Sequence, residues 1–130
     1  MDNKNINLTE SEWYVLECLW ESSPRTGREV VQQLEETAGW SRSTTLTLLS
    51  RLEAKGAVSS NSAGAKKTFS AALQREDAAM HETEDFLSRV YKGSLSLLVS
   101  SMTKKKALSQ NEIKELYAML KELEGGTEDA

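Results

Sequence analysis

The sequence has few of the residues from which covalent cross-links and metal sites are built. It contains one cysteine, Cys18, and one histidine, His81, among 130 residues, so an internal disulfide is excluded. A structural zinc site needs several cysteine or histidine ligands, and no Gly-rich phosphate loop or catalytic triad pattern is visible. We expect no metal, no cofactor and no enzymatic activity. Cys18 lies among leucines, which favours a buried, inert thiol over a reactive one.

Long apolar runs are also missing. No stretch approaches the roughly 18 to 20 apolar residues that a helix needs to span a bilayer. The first ten residues lack the basic and apolar segments of a secretory signal. The sequence therefore predicts a cytoplasmic protein without a membrane partner.

Charge is unevenly distributed along the chain. The formal net charge of −4 disfavours a nucleic-acid partner. Residues 40–75, however, contain six basic residues against a single acidic one, Glu53, and lie between two acidic segments. Phosphate contact depends on such local positive charge. An ordinary solvated surface is the alternative, and charge alone does not decide between the two.

Short local patterns predict where helices and strands begin and end. Capping boxes, in which a Ser or Thr is followed three residues later by a Glu, predict three helix starts. These boxes are Thr9–Glu12, Thr26–Glu29 and Ser109–Glu112. Ser41 is predicted to cap a further helix, which Gly56 ends in a left-handed conformation. Two short strands, at about 57–61 and 66–72, are predicted to form a β-hairpin.

The third helix carries two different faces. On a helical wheel its inward face is formed by Thr45, Leu48, Leu49 and Leu52, which recur at helical spacing. The opposite face, flanked by Arg51, carries Arg42, Ser43, Leu46, Thr47 and Ser50. Short hydroxyl side chains let a helix approach base edges, and arginine pairs with phosphate or guanine. This face predicts a recognition helix in a DNA major groove, and a weakly specified solvent surface is the alternative.

Two neighbours of this helix face refine the prediction. Lys66 and Lys67, after the hairpin turn, are expected to reach the flanking DNA backbone. Leu46 is the one apolar residue on the outward face. It either contacts a thymine methyl group or is an ordinary exposed leucine.

The C-terminal part has more apolar surface than a lone helix can bury. A long helical pattern begins near Arg75, and Gly93 either bends or breaks it. Self-association would cover the apolar stripe. The residues predicted to form the dimer contact are Phe86, Val90, Tyr91, Leu95, Leu98, Leu116 and Leu120. The final segment, EGGTEDA, is predicted to be disordered.

Four segments of the chain resemble one known family. They are LTESEWYVLECLW, GWSRSTTLTLLSRLEAKGAV, FLSRVYKG and LSQNEIKELYAML. In this order they are similar to the BlaI/MecI/CopY family of penicillinase- and copper-responsive repressors, over about residues 8–122. The resemblance implies homodimers that bind an inverted-repeat operator and repress transcription. By position it places Ser43, Thr44, Leu46 and Thr47 in the recognition helix, and Lys66 and Lys67 in the wing.

The sequence departs from the family pattern at three places. Members often have lysine or another polar residue where Ser43 stands, and arginine or glutamine where Leu46 stands, so an operator sequence cannot be transferred. The C-terminal cysteine cluster of the copper-responsive members is absent. The Asn-Phe bond at which β-lactam-responsive members are cleaved corresponds to Ser101-Met102. This bond is the candidate cleavage site for a regulatory protease, although the residues do not match that specificity.

Together these patterns predict a mainly α-helical protein with two domains. Residues 1–73 are predicted to form a winged helix-turn-helix domain, and residues 74–130 a helical dimerisation domain. The predicted function is a sequence-specific transcriptional repressor, with double-stranded operator DNA and a second copy of the chain as partners. A protein-interaction adaptor built on a winged-helix scaffold is the alternative.

Overall fold

The computed structural model describes the backbone of residues 6–129 and the side chains of residues 6–125. It is mainly helical with one small antiparallel sheet, which confirms the predicted fold class. The helices are α1 (Glu10–Glu21), α2 (Gly27–Ala38), α3 (Arg42–Lys55), α4 (Arg75–Tyr91), α5 (Leu95–Lys104) and α6 (Gln110–Asp129). The strands are β1 (Arg25–Thr26), β2 (Val58–Asn61) and β3 (Thr68–Ala71).

All three predicted capping boxes are present. In the first, the Glu12 backbone N–H donates to Thr9 Oγ1 over 3.1 Å, and the Thr9 backbone N–H donates to Glu12 Oε1 over 2.9 Å. The same reciprocal pair of hydrogen bonds starts α2 and α6. Each box satisfies backbone N–H groups that have no partner inside the helix.

Helices α2 and α3 each end at a glycine in a left-handed conformation. Gly39 follows α2 with φ +69°, and Gly56 follows α3 with φ +85°. These left-handed conformations strain residues that carry a Cβ atom. Gly93, at φ +80°, lies between α4 and α5, so it breaks the long helical pattern rather than bending it.

The sheet has the strand order β1-β3-β2, and both neighbouring pairs are antiparallel. The hairpin of β2 and β3 confirms the sequence prediction, with Val58 opposite Ala71 and Asn61 opposite Thr68. The third strand, β1, was not predicted. It has only two residues, too few to show an alternating pattern, and its pairing with β3 depends on residues distant in sequence.

The chain divides into two compact units, one that ends at Glu84 and one that begins at Asp85. The core of the first unit contains leucines of α1 and α3, including Leu16, Leu49 and Leu52, together with Phe69 of β3. It also contains Ala78, so the first turns of α4 belong to this unit. The predicted boundary between a DNA-binding domain and a dimerisation domain at residue 73 stays a prediction.

The second unit leaves its apolar side chains largely exposed. None of the residues of α5 is buried. Of the residues predicted to form a dimer contact, Tyr91 and Leu98 are half-buried. The other five, which are 39–61% exposed, are Phe86, Val90, Leu95, Leu116 and Leu120.

The C-terminal segment differs from its prediction. Helix α6 continues through Gly125 to Asp129, whereas EGGTEDA was predicted to be disordered, and Ala130 lies outside the described residues. Once a helix is nucleated, each added residue gains a backbone hydrogen bond. This gain can offset the cost of about 1 kcal/mol that each helical glycine carries.

Candidate nucleic-acid interface

Helix α3 presents its two faces as the sequence predicted. Thr45, Leu48, Leu49 and Leu52 are buried. The exposed residues of the opposite side are Arg42, Ser43, Thr44, Thr47, Ser50 and Arg51. The helix therefore turns hydroxyl and guanidinium groups toward solvent along most of its length.

The hydroxyl groups at the start of α3 bond to one another. The Thr44 backbone N–H donates to Ser41 Oγ over 3.2 Å, which is the predicted N-cap. Ser41 Oγ in turn donates to Thr44 Oγ1 over 3.0 Å and lies 3.3 Å from Ser43 Oγ. Here the hydroxyls satisfy the end of the helix instead of competing with its interior. Ser43 and Thr44 remain exposed, so they can still face a ligand.

Positive charge surrounds this face. Among the described residues, neither Arg42 nor Arg51 forms an ion pair with a carboxylate. Lys66 lies near the start of α2: the pKa of Glu29 is lowered first by the hydrogen bond from the Thr26 backbone, and further by the charges of Arg25 and Lys66. Arg42, Arg51 and Lys66 are therefore available for phosphate groups.

Lys67 is already partly engaged. Its Nζ atom lies 3.8 Å from Glu53 Oε1 of α3 and 5.2 Å from the centre of the Phe69 ring. The ion pair is exposed, so it is weak and open to exchange. A phosphate would have to replace Glu53 as the partner of this lysine.

The expected position of Leu46 was wrong. Its side chain is half-buried and packs against the core, whereas the wheel had placed it in solvent on the outward face. A Cβ atom at Gly27 would lie 3.5 Å from Leu46 Cδ2 and 3.5 Å from Phe69 Cε1. The start of α2 thus comes close to Leu46. Leu46 is therefore not fully exposed, and packing accounts for an apolar residue at this position. Contact with a thymine methyl group stays a prediction.

Sequence reasoning did not single out, as part of this surface, three exposed residues at the starts of α1 and α2. Arg28 is exposed in the first turn of α2, but it was counted within the acidic N-terminal segment. Thr9 and Ser11 at the start of α1 line a depression of about 480 Å³ together with Ser43 and Arg51 of α3. Arg28 lies two residues after the Thr26 cap, so the capping box already placed it in the first turn of α2.

An ion pair holds the far end of α3. Lys55 Nζ donates to Glu12 Oε1 over 2.6 Å and to the Asn7 carbonyl oxygen over 2.9 Å. Burial by itself raises the pKa of Glu12. The hydrogen bonds from Lys55 and Thr9 outweigh that effect, so the pKa lies below its usual value. Glu12 is therefore a buried carboxylate that ties the last turn of α3 to the first turn of α1.

Metal binding and membrane insertion find no support in the described residues. Within the described residues, no group of three or more His, Cys, Asp or Glu side chains could hold a metal ion. No helix in the same part of the chain is long and apolar enough to cross a membrane. Cys18 is buried, and burial raises the pKa of its thiol. The exposed side of α3 with the neighbouring hairpin is the candidate surface for a nucleic acid.

Comparison with known proteins gives this surface a context. A family model described as "Penicillinase repressor" matches residues 8–122. The chain is 28% identical over 120 residues to the methicillin resistance regulatory protein MecI of Staphylococcus aureus strain N315, which covers 92% of this chain and 98% of MecI. It is 31% identical over 115 residues to the penicillinase repressor of Bacillus licheniformis, covering 88% and 90% of the two chains.

Solved structures are similar to the first part of the chain. The solution structure of the DNA-binding domain of the repressor BlaI matches with a TM-score of 0.51 and 27% identity, over 56% of this chain and 89% of that one. The monomeric form of Bacillus licheniformis BlaI in complex with the blaP half-operator matches with a TM-score of 0.50 and 28% identity. It covers 55% of this chain and 87% of that one.

Proposed function

The chain belongs to the penicillinase repressor family and is a DNA-binding transcriptional repressor, and from this we propose that it acts as a homodimer on an inverted-repeat operator. The exposed hydroxyl and guanidinium face of α3 is the observation that carries the proposal. In this proposal each α3 enters a major groove. We also propose that the protein acts in the cytoplasm, because its proposed partner is operator DNA.

The contacts divide into those that read bases and those that bind phosphates. Ser43, Thr44, Thr47 and Ser50 are short and exposed on one side of α3, so they can reach base edges. The proposed phosphate contacts are Arg42, Arg51, Lys66 and Lys67, with Arg28 as an addition from the structure. Similarity to the monomeric form of Bacillus licheniformis BlaI, solved in complex with the blaP half-operator, supports this arrangement.

Dimer formation is proposed from the second unit. Leu95, Leu97 and Leu120 are 49–61% exposed, which is a large apolar surface to leave in water. Full burial of an exposed leucine contributes about 1.5–3 kcal/mol, so covering one that is already about half-buried contributes roughly half of that. A homodimer that packs these helices together therefore has a physical driving force.

Relief of repression is proposed to follow cleavage at Ser101-Met102. The bond lies in the last turn of α5, where the Ser101 carbonyl accepts a hydrogen bond from Lys105 N and the Met102 carbonyl accepts one from Ala107 N. A protease needs an extended segment, and helix ends unfold most easily. Cleavage here would separate α6 from the rest of the chain and so remove part of the proposed dimer surface.

A gel shift against the chain's own upstream DNA tests the central proposal. We expect one dominant complex whose protein content, by sedimentation, corresponds to two copies of the 14.5 kDa chain. Thr47→Ala should change the preferred sequence. Thr37→Ala is the matched control because Thr37 is exposed on α2 and donates to the Gln33 carbonyl. A single-copy complex on the full operator would contradict the dimer.

Cleavage needs its own experiment. An N-terminally tagged chain in its source cells should yield a fragment that ends near residue 101 after β-lactam treatment, and operator occupancy should fall with it. Loss of occupancy with the chain intact would contradict the proposed cleavage while leaving DNA binding in place.

A further inference from the structure

Arg75, the first residue of α4, is tied to Glu17 of α1. Its Nη2 atom lies 2.8 Å from Glu17 Oε2, and its Nε atom donates to Glu17 Oε1 over 3.1 Å. Two parallel hydrogen bonds fix the plane of the guanidinium as well as its position. The pKa of Glu17 is accordingly lowered, with the hydrogen bond from Arg75 as the largest cause.

Two tryptophans complete the arrangement. The guanidinium carbon of Arg75 lies 5.7 Å from the centre of the Trp13 ring and 5.9 Å from that of Trp20. Trp13 Nε1 donates to Glu17 Oε2 over 2.9 Å, and Trp20 Nε1 donates to the Leu73 carbonyl over 2.9 Å. We call Trp13, Glu17, Trp20, Leu73 and Arg75 the Arg75 clamp.

The clamp connects α1 with the beginning of α4. All its residues lie in the first unit, and Leu73 and Ala78 on either side of Arg75 are buried in the core. Helix α4 continues without a break to Tyr91, beyond the end of that unit. Its start is therefore held by hydrogen bonds, cation–π contacts and the burial of the neighbouring residues.

Arg75 also belongs to the basic segment 40–75, but it has a different role from the other cations. Its guanidinium already bonds to a carboxylate through two nitrogens and lies within cation–π distance of two tryptophan rings, whereas Arg42 and Arg51 form no ion pair among the described residues. This arrangement disfavours Arg75 as a phosphate contact.

We propose that Arg75 is a positioning residue that sets the spacing of the two half-sites the dimer accepts. The clamp holds the first turn of α4 against α1 within the first unit. Helix α4 then runs unbroken into the second unit, through which we propose that the dimer forms, so loosening its start should loosen the spacing at which the two α3 helices bind. This inference rests on the proposed dimeric repressor.

A series of operator duplexes can test the proposal. The half-site is first selected from a random DNA pool with the full-length wild-type chain. Inverted repeats of it are then built with spacers that differ by one base pair, together with a duplex carrying one half-site. Wild-type protein should prefer one spacer strongly, because α4 links the two units as one unbroken helix.

Arg75→Ala should bind the single half-site within about twofold of wild type, since no DNA contact is removed. On the best inverted repeat it should bind about tenfold more weakly, because a loose connection lowers the effective concentration of the second α3. Its preference between neighbouring spacers should flatten. Glu17→Gln should act in the same direction, which separates loss of the clamp from loss of the arginine itself.

Arg89→Ala is the matched control. Arg89 lies on the same helix and forms an exposed ion pair with Asp85 at 3.8 Å, but it contacts neither tryptophan. It should retain the wild-type spacer preference. Sedimentation and thermal melting of each variant confirm that dimers remain folded.

The outcomes are distinguishable. An unchanged spacer preference in Arg75→Ala and Glu17→Gln would overturn the positioning role. Equal loss on half-site and full operator would also overturn it, because it would make Arg75 a direct contact or a general stabiliser. Failure of wild type to bind any inverted repeat as a dimer would instead contradict the proposed function.

Discussion

Lys55 Nζ lies 2.6 Å from Glu12 Oε1, and this contact joins the last turn of α3 to the first turn of α1. The glutamate is fully buried, whereas the lysine side chain is 32% exposed. Glu12 is also the acidic member of the first capping box. One carboxylate thus stabilises the start of α1 and holds α3, whose other side is the proposed DNA contact.

Removal of the lysine should destabilise the first unit. Lys55→Met leaves the buried carboxylate of Glu12 without its cation, and a buried polar group that loses its partner costs about 1–3 kcal/mol. Urea unfolding at pH 7, followed by tryptophan fluorescence, measures the change. The double variant Lys55→Met with Glu12→Gln should recover part of the loss. An equal loss of stability in the single and the double variant would show that the unpaired charge of Glu12 does not cause the destabilisation.

Stability should also depend on acid through Glu12. Its pKa is lower in the folded chain than the reference value of 4.5. Its contribution is therefore present above pH 4.5 and is lost as the pH falls through the folded value. In unfolding titrations, wild type should lose more stability than Glu12→Gln between neutral and acid pH. Parallel curves for the two proteins would contradict this assignment.

Leu46→Ala should reduce stability more than it changes base preference. The leucine packs against the core near Gly27 and Phe69. Full truncation of a buried leucine costs about 2–5 kcal/mol, so a half-buried one should cost about 1–3 kcal/mol. Ser50→Ala is the control, because Ser50 is exposed on the same helix and its loss should cost at most about 0.5 kcal/mol. A shifted consensus in DNA selection with unchanged stability would instead make Leu46 a base contact.

Glu53→Gln should strengthen DNA binding. Glu53 pairs with Lys67 at 3.8 Å and competes with phosphate for it. Removing the carboxylate charge frees the lysine, so affinity should rise at low salt. Fluorescence anisotropy on a selected operator, over a range of salt concentrations, measures this effect.

Lysine removal gives the complementary result. Lys66→Ala and Lys67→Ala should each flatten the plot of log affinity against log salt by about 0.9, the value for one lost phosphate contact. The cost in affinity should be smaller for Lys67, since Glu53 offsets part of its contribution. Identical slopes for wild type and both variants would contradict a contact between the wing lysines and the DNA phosphates.

Local sequence patterns determined much of the fold. The capping boxes, the glycine after α3, the inward face of α3 and the hairpin were all predicted, because each depends on residues within a few positions of one another. Hydrogen bonds between i and i+3, and side chains at i, i+3, i+4 and i+7, are set by helix geometry itself. The same patterns identified the exposed hydroxyl face.

Only the tertiary structure decided what surrounds that face. It packed a half-buried Leu46 beside Gly27, paired Lys67 with Glu53, and placed β1 against β3. It also joined Glu12 to Lys55 and Glu17 to Arg75, pairs that are 43 and 58 positions apart in sequence. No local periodicity specifies such contacts, because they form only when separate helices pack on a common core.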